Sequence, residues 1–193
     1  MGNCWRRCIY CHFSRWETWT ERTISGFTGE FWGVAFGEGL FVAVGDSGTV
    51  ATSPDGTNWT QRTLSFSSQR LLHAYYAKGL FVVGGFGNTL AVSSDGINWT
   101  QKTIDMGGGN NRVWGGVYGN DLYTVAGDNG KIYSSYDGSE WTERASTITT
   151  QLIPIIFGDN LFVASGATAG DAFTSEMKLQ YLVLNKASIQ EIN

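Results

Sequence analysis

The sequence predicts an all-β protein made by repeating one short unit, and three observations carry that prediction. First, a phrase returns four times: Trp19-Thr20-Glu21-Arg22-Thr23, Trp59-Thr60-Gln61-Arg62-Thr63, Trp99-Thr100-Gln101-Lys102-Thr103 and Trp141-Thr142-Glu143-Arg144-Ala145. Its tryptophans lie 40, 40 and 42 residues apart. Second, another phrase keeps the same spacing, as Gly39-Leu-Phe-Val-Ala-Val-Gly45, Gly79-Leu-Phe-Val-Val-Gly-Gly85, Asp121-Leu-Tyr-Thr-Val-Ala-Gly127 and Asn160-Leu-Phe-Val-Ala-Ser-Gly166. Third, the chain is rich in glycine (26 of 193 residues) and aromatics (14%) but has few charges (16%). That composition suits short strands and tight turns, not long helices. A repeat of this length is one supersecondary unit that buries a core only against its neighbours.

The strands of one unit can be placed in order over residues 31–63. Phe31 to Phe36 is a first strand, and Gly37-Glu-Gly39 is a tight turn of residues that tolerate positive φ. Leu40 to Val44 is almost wholly apolar, as for a strand covered on both faces. Gly45-Asp-Ser-Gly48 leads into a third strand, Thr49 to Thr52, and Ser53-Pro-Asp-Gly56 into a fourth, Asn58 to Thr63. Four short antiparallel strands punctuated in this way describe one blade of a β-propeller.

The turn between the third and fourth strands is the most specific signal. It reads Ser53-Pro-Asp55-Gly56-Thr-Asn-Trp59, then Ser93-Ser-Asp95-Gly96-Ile-Asn-Trp99, then Ser134-Ser-Tyr-Asp137-Gly138-Ser-Glu-Trp141. Locally, the Asp side chain accepts backbone N–H bonds from its own turn, Gly takes the strained angle and Trp packs over it. The pattern resembles the Asp-box, or BNR, repeat of sialidases, photosystem II assembly factors and many phage tail proteins. Here it is a shortened variant with Gly directly after Asp, and Ser135 takes the serine's place in the third copy. The resemblance spans residues 16–175 and implies a propeller, not an activity. Asp55, Asp95, Asp137, Trp59, Trp99 and Trp141 are therefore expected to be structural.

Three copies are complete, at 31–63, 71–103 and 113–145. A fourth begins at Leu152 and has no Asp-Gly-x-x-Trp, whereas Trp19 to Thr23 is a fourth strand with no blade before it. The expectation is a ring of about four four-stranded blades. It is closed by the N-terminal strand as the outer strand of the last blade, or else completed by another chain. Residues 1–15 read as a cysteine-rich tail, 16–175 as the propeller and 176–193 as an extension in which Leu179 to Leu184 suits a further strand.

Several function classes are set aside. The net charge of −4 lacks the basic face a general nucleic-acid binder needs. No run reaches the length of a membrane span, and Arg6-Arg7 with the short Cys8-Ile-Tyr-Cys11 do not read as a secretory signal. Cys4, Cys8 and Cys11 have the spacing of the radical S-adenosylmethionine motif, but that motif needs a βα barrel and a β-repeat follows. Zinc ligation that adds His12 would put adjacent residues on one tetrahedral ion. The tail is therefore read as inert, with no metal and no cofactor expected. A sialidase would need an arginine triad and converging acid–base groups. Arg22, Arg62 and Arg144 instead share one repeat position with Lys102, which marks a structural place.

Residues that break the repeat are the candidates for recognition. Aligned first strands stack Gly33, His73, Gly115 and Pro154 at one level and Trp32, Leu72, Trp114 and Ile153 at the next. The blade-linking loops share a face with the turns between second and third strands, and they mix aromatics, amides and single charges. Phe27, Arg70, His73, Phe86, Asn110, Asn111 and Arg112 are the expected ligand-binding set. The reading is a non-enzymatic binding or structural module. The repeats look most like those of phage tail and fibre proteins, which implies a virion component that recognises a cell-surface glycan or a protein and can self-associate. An assembly chaperone is the alternative, and a sialidase-type hydrolase stands behind both.

Overall fold

The computed structural model describes residues 11–14, 18–166 and 172–174. A two-stranded hairpin comes first, β1 (Cys11–Ser14) with β2 (Thr18–Glu21). Three four-stranded antiparallel meanders follow. The first blade is β3 (Phe31–Gly37), β4 (Leu40–Gly45), β5 (Thr49–Ser53) and β6 (Thr60–Thr63). The second is β7 (Leu71–Ala77), β8 (Leu80–Gly85), β9 (Leu90–Ser93) and β10 (Thr100–Gln101). The third is β11 (Val113–Gly119), β12 (Leu122–Gly127), β13 (Ile132–Ser135) and β14 (Thr142–Arg144). The last sheet has three strands, β15 (Leu152–Gly158), β16 (Leu161–Gly166) and β17 (Ala172–Thr174). The described residues contain no α-helix, only short 3-10 turns at Asp46–Gly48 and Asp128–Gly130. The all-β blade architecture predicted from the repeats is the one observed.

The turns between first and second strands are uniform in geometry and varied in sequence. Glu38 and Gly39, Lys78 and Gly79, Asn120 and Asp121, and Asp159 and Asn160 all have positive φ, between 47° and 80°. Two successive left-handed residues make the turn whose twist matches that of antiparallel strands. Asn, Asp and Gly tolerate it best, so the sequence marks most of these sites.

Most of the core lies between blades, with one small cluster, Ala43 and Ala51 packed with Ile24, Phe31 and Trp59, on the first blade alone. Val42 and Val44 of the first blade pack with Leu71 and Phe81 of the second. Val82 and Leu90 of the second pack with Val113, Tyr123 and Val125 of the third. Leu122 of the third packs with Leu152, Ile155 and Phe162 of the fourth. In the first three blades the second strand is covered on both faces, which explains its apolar run, whereas β16 buries only Phe162 and Ala164.

One junction recurs along the inner strands. An aromatic ends each of them and pairs across the hairpin: Phe36 with Phe41, Tyr76 with Phe81, Tyr118 with Tyr123 and Phe157 with Phe162, at ring distances of 4.5–4.9 Å. The next residue is small, because the aromatic of the following blade lies on it. A Cβ added at Gly37 would come 2.1 Å from the Tyr76 ring, and one at Gly119 would come 2.1 Å from Phe157. Higher up the same strands, Gly33 faces the backbone of His73 and Ala74.

Ring closure differs from the expectation. Thr18–Glu21 does not complete the last blade. It pairs with Cys11–Ser14, and β16 takes β17 as its outer neighbour. Four residue pairs join β1 to β2. The strand β1 begins inside the segment read as a tail. Cys4, Cys8 and Leu179 to Leu184 lie outside the described residues.

Gly119→Val should unseat Phe157, because overpacking at such a contact costs about 1–3 kcal/mol. Amide exchange in β15 and β16 is then expected to speed by about tenfold or more, with β3 to β8 unchanged. Unaltered exchange in β15 would contradict the junction.

Candidate functional site

The two rims of the blades have different characters. On one, blade-linking segments meet the turns between second and third strands: the Gly48 N–H donates to the Gln69 carbonyl at 2.8 Å and the Asn88 N–H to that of Asn111 at 3.2 Å. On the other, the Asp-Gly turns of the second and third blades pack against the blade before, Gly96 on Leu40 and Val42, and Gly138 on Leu80.

A ladder of alternating rings and guanidinium groups crosses the first rim. Arg70 lies over Trp32, with Cζ 4.7 Å from the ring centroid, and reaches Phe86 at 5.9 Å. Arg112 also lies over Phe86, with Cζ 5.1 Å from its centroid, and over Trp114 at 4.7 Å. The order Trp32, Arg70, Phe86, Arg112, Trp114 thus spans three blades. Each stacked contact contributes about 0.5–1 kcal/mol at an exposed site.

Two carboxylates anchor the ladder. Asp46 accepts the Glu30 backbone N–H at 3.0 Å, the Trp32 indole N–H at 3.2 Å and Arg70 Nε–H at 2.6 Å. Asp128 accepts the Arg112 backbone N–H at 2.9 Å and the Trp114 indole N–H at 2.7 Å, and pairs with the Arg112 guanidinium at 3.2 Å. Asp128 is buried, and these three partners replace its hydration. Each arginine is matched by one aspartate, so the platform has both signs of charge and broad apolar faces. Trp32 remains 46% exposed and the Arg70 side chain 42%.

A bulge aims the tryptophans. The pairing of β3 with β4 slips between Phe31 and Gly33, and that of β11 with β12 between Val113 and Gly115, so Trp32 and Trp114 each occupy the extra residue. A bulge takes a side chain out of the alternation of its strand. In the second blade the same position is Leu72, and Phe86 stands where Asp46 and Asp128 stand. The aromatic has moved from the strand to the turn, and the ladder is continuous.

The structure gathers part of the predicted set. Arg70, Phe86 and Arg112 come together as the centre of the ladder. Phe27 is half-buried and stacks on Phe31 at 4.6 Å. Asn111 turns inward, where its Nδ2 donates to the Met106 carbonyl at 3.0 Å, while Asn110 is exposed in the same loop. His73 pins two blades, with Nε2 3.0 Å from the Gly116 carbonyl, and burial pushes its pKa below the usual imidazole value. Sequence reasoning missed Trp32, Trp114, Asp46 and Asp128 as site residues. Their signal was the shared occurrence of Trp with Asp in the first and third units and the loss of both in the second.

The Asp-Gly turns are built as predicted. Asp55 accepts the backbone N–H groups of Thr57 and Asn58 at 2.8 and 2.7 Å, and Asp95 those of Ile97 and Asn98 at the same distances. Trp59, Trp99 and Trp141 donate to the carbonyls of Gly56, Gly96 and Gly138 at 3.1–3.2 Å. The Asn58 and Asn98 N–H groups lead in holding Asp55 and Asp95 well below the usual carboxylate range, and Ser139 lowers Asp137. Arg62 and Arg144 reach across to hydroxyls of the adjoining strand, Thr52 at 3.4 Å and Ser134 at 2.5 Å, which suits a structural role. Among the described residues, no three His, Cys, Asp or Glu are placed to hold a metal ion, and no helix is long and apolar enough to cross a membrane.

No protein-family model and no curated protein matches this sequence. Solved structures do match its fold. The computationally designed Ika4 protein is 14% identical with a TM-score of 0.60, over 79% of this chain and 94% of that one. YCF48 bound to D1 peptide is 20% identical with a TM-score of 0.61, over 76% of this chain and 51% of that one. The WD40 propeller domain of Doa1 is 12% identical with a TM-score of 0.58, over 86% of this chain and 57% of that one. The chain therefore spans about half the length of the two natural propellers, and at these identities the likeness is one of fold: a β-propeller.

The lowered carboxyl pKa values predict a pH profile. The stabilisation is complete above the ordinary value of 3.8 and is lost as pH falls below it. Tm should therefore drop on acidification from about pH 4 to pH 2, less steeply in the Asp55→Asn/Asp95→Asn/Asp137→Asn variant. At neutral pH, Asp95→Ala should lower Tm by about 2–8 °C through loss of the turn cap. An unchanged Tm would remove the structural role.

Proposed function

We propose that this protein is a non-enzymatic recognition module that holds a polypeptide segment on the Trp32–Trp114 ladder. The observation that carries the reading is the ladder itself. Three rings, two guanidinium groups and two carboxylates form one strip across three blades, with Trp32 and Arg70 its most exposed members. Stacked arginine keeps its N–H donors in the ring-to-ring plane, where they suit backbone carbonyls and carboxylates, while the rings offer area at low entropic cost. Aromatic and arginine residues are the usual anchors of protein interfaces. The fold's likeness to YCF48, solved with D1 peptide, favours a peptide partner and an assembly role. The resemblance of the Asp-Gly turns to Asp-box repeats of phage tail and fibre proteins supports a virion setting for that role.

A second reading has its own observation. Trp32 is half-exposed at the end of the ladder, and a flat indole bordered by Asp46 and Arg70 suits stacking on a sugar ring. A cell-surface glycan is then the ligand. A hydrolase has less support: the acidic groups of the Asp-Gly turns and of the ladder are all committed to hydrogen bonds within the fold.

The Arg70→Ala/Arg112→Ala variant is expected to keep the wild-type far-UV spectrum. It should bind peptides selected on the wild type from a displayed random library at least about tenfold more weakly. Glycan-array binding lost in Trp32→Ala, with no peptide selected, would favour the sugar. Peptide binding that survives the double variant but is lost in folded Asp55→Ala or Asp137→Ala would move the site to the opposite rim.

A further inference from the structure

We infer that the first and fourth blades are mates, and that a second copy of this chain joins them head to tail into a closed ring. Three junctions within the chain share one design. The inner strand of each blade sends alternate residues forward onto the next: Gly33 and Gly37 onto β7, Tyr75 and His73 onto Gly116, and Gly115 and Gly119 onto β15. The following blade answers with the other set, an aromatic lying on the small residue. At the two ends of the series, one half of this design stands alone.

On β15 the forward-facing residues are Pro154, Ile156 and Gly158. Ile156 is 61% exposed, and a Cβ added at Gly158 would meet nothing within 4 Å, unlike one at Gly37 or Gly119. On β3 the backward-facing aromatic is Phe36, equivalent to Tyr76, Tyr118 and Phe157, and it is 55% exposed. Six large apolar side chains stand exposed among the described residues; Trp32 and Phe36 lie on β3, and Ile153 and Ile156 on β15. The exposed apolar surface thus concentrates on the two strands whose neighbours are missing. Phe36 on Gly158 reproduces Tyr76 on Gly37 and Phe157 on Gly119. The two faces continue an interface the chain makes three times already.

The occupant is a second copy because the chain keeps its own ends apart. The inner strands β3 and β15 are not packed on one another as successive inner strands are. The strand expected to tie the ends together, β2, pairs with β1 and belongs to no sheet of the last blade. A head-to-tail interface forms a ring when its rotation closes. Two copies supply eight inner strands, four from each (β3, β7, β11 and β15), which is within the blade numbers propellers adopt. Both ladders then lie on the same rim.

A cysteine pair reads the junction directly. In a chain with Cys4, Cys8 and Cys11 replaced by serine, Phe36→Cys/Gly158→Cys is compared with Gly119→Cys/Phe157→Cys. The latter is an in-chain control: a Cβ at residue 119 would lie 2.1 Å from Cγ of Phe157, within reach of the roughly 3.5–4.5 Å Cβ separation of a disulfide. Under mild oxidation the control should close as a monomer. The test pair should give a covalent species of twice the chain mass with no free thiol. Sedimentation of the unmodified chain should show the dimer, and Phe36→Asp should raise its dissociation constant at least about tenfold without changing the far-UV spectrum. A test pair that closes within one chain, higher multiples, or an unmodified chain that sediments as a monomer would each overturn the proposal.

Discussion

Everything in this structure depends on a ring laid over a small residue at each blade boundary. Tyr76 on Gly37 and Phe157 on Gly119 set how closely successive inner strands approach. The three larger core clusters each join two successive blades. The stability of such an array resides in its boundaries more than in its units. This accounts for the cost spread along the chain, in glycines, of admitting an aromatic ring from the neighbour.

The same geometry builds the rim that carries the ladder. Fixed spacing between blades places Arg70 between rings from the first and second blades, and Arg112 between rings from the second and third. Asp46 and Asp128 then hold each guanidinium from the turn of one blade or its neighbour. The opposite rim does other work. There Asp55 and Asp95 are saturated by their own turns, and Gly96 and Gly138 pack on the preceding blade. A repeated feature closes turns, and departures from the repeat make the surface that differs from blade to blade.

His73 illustrates how the two are separated. By sequence it is the odd member of an inner level otherwise small or rigid, which drew attention to it as a ligand contact. Its ring instead bridges to the Gly116 carbonyl of the next blade. An interruption of the repeat can serve the boundary as well as the surface, and only the position of the partner tells which. Asn111 is the same case, since its amide holds the Met106 carbonyl inside its own loop.

The sequence by itself determined the blade. Period, the apolar second strands and the Ser-x-Asp-Gly turns set strand order and the limits of three complete blades, because these are local patterns with local physical causes. It also brought Arg70, Phe86 and Arg112 into view, as residues that differ at otherwise matching places. Tertiary structure decided the rest. Trp32 and Trp114 join the ladder because a bulge turns them out of the strand alternation, and one residue of slippage leaves no mark in a two-residue period. The fate of Trp19 to Thr23 was likewise beyond a local pattern. A strand carries the same residues whether it pairs with the last blade or with Cys11–Ser14, and which edge it takes depends on where the two ends of the array lie in space.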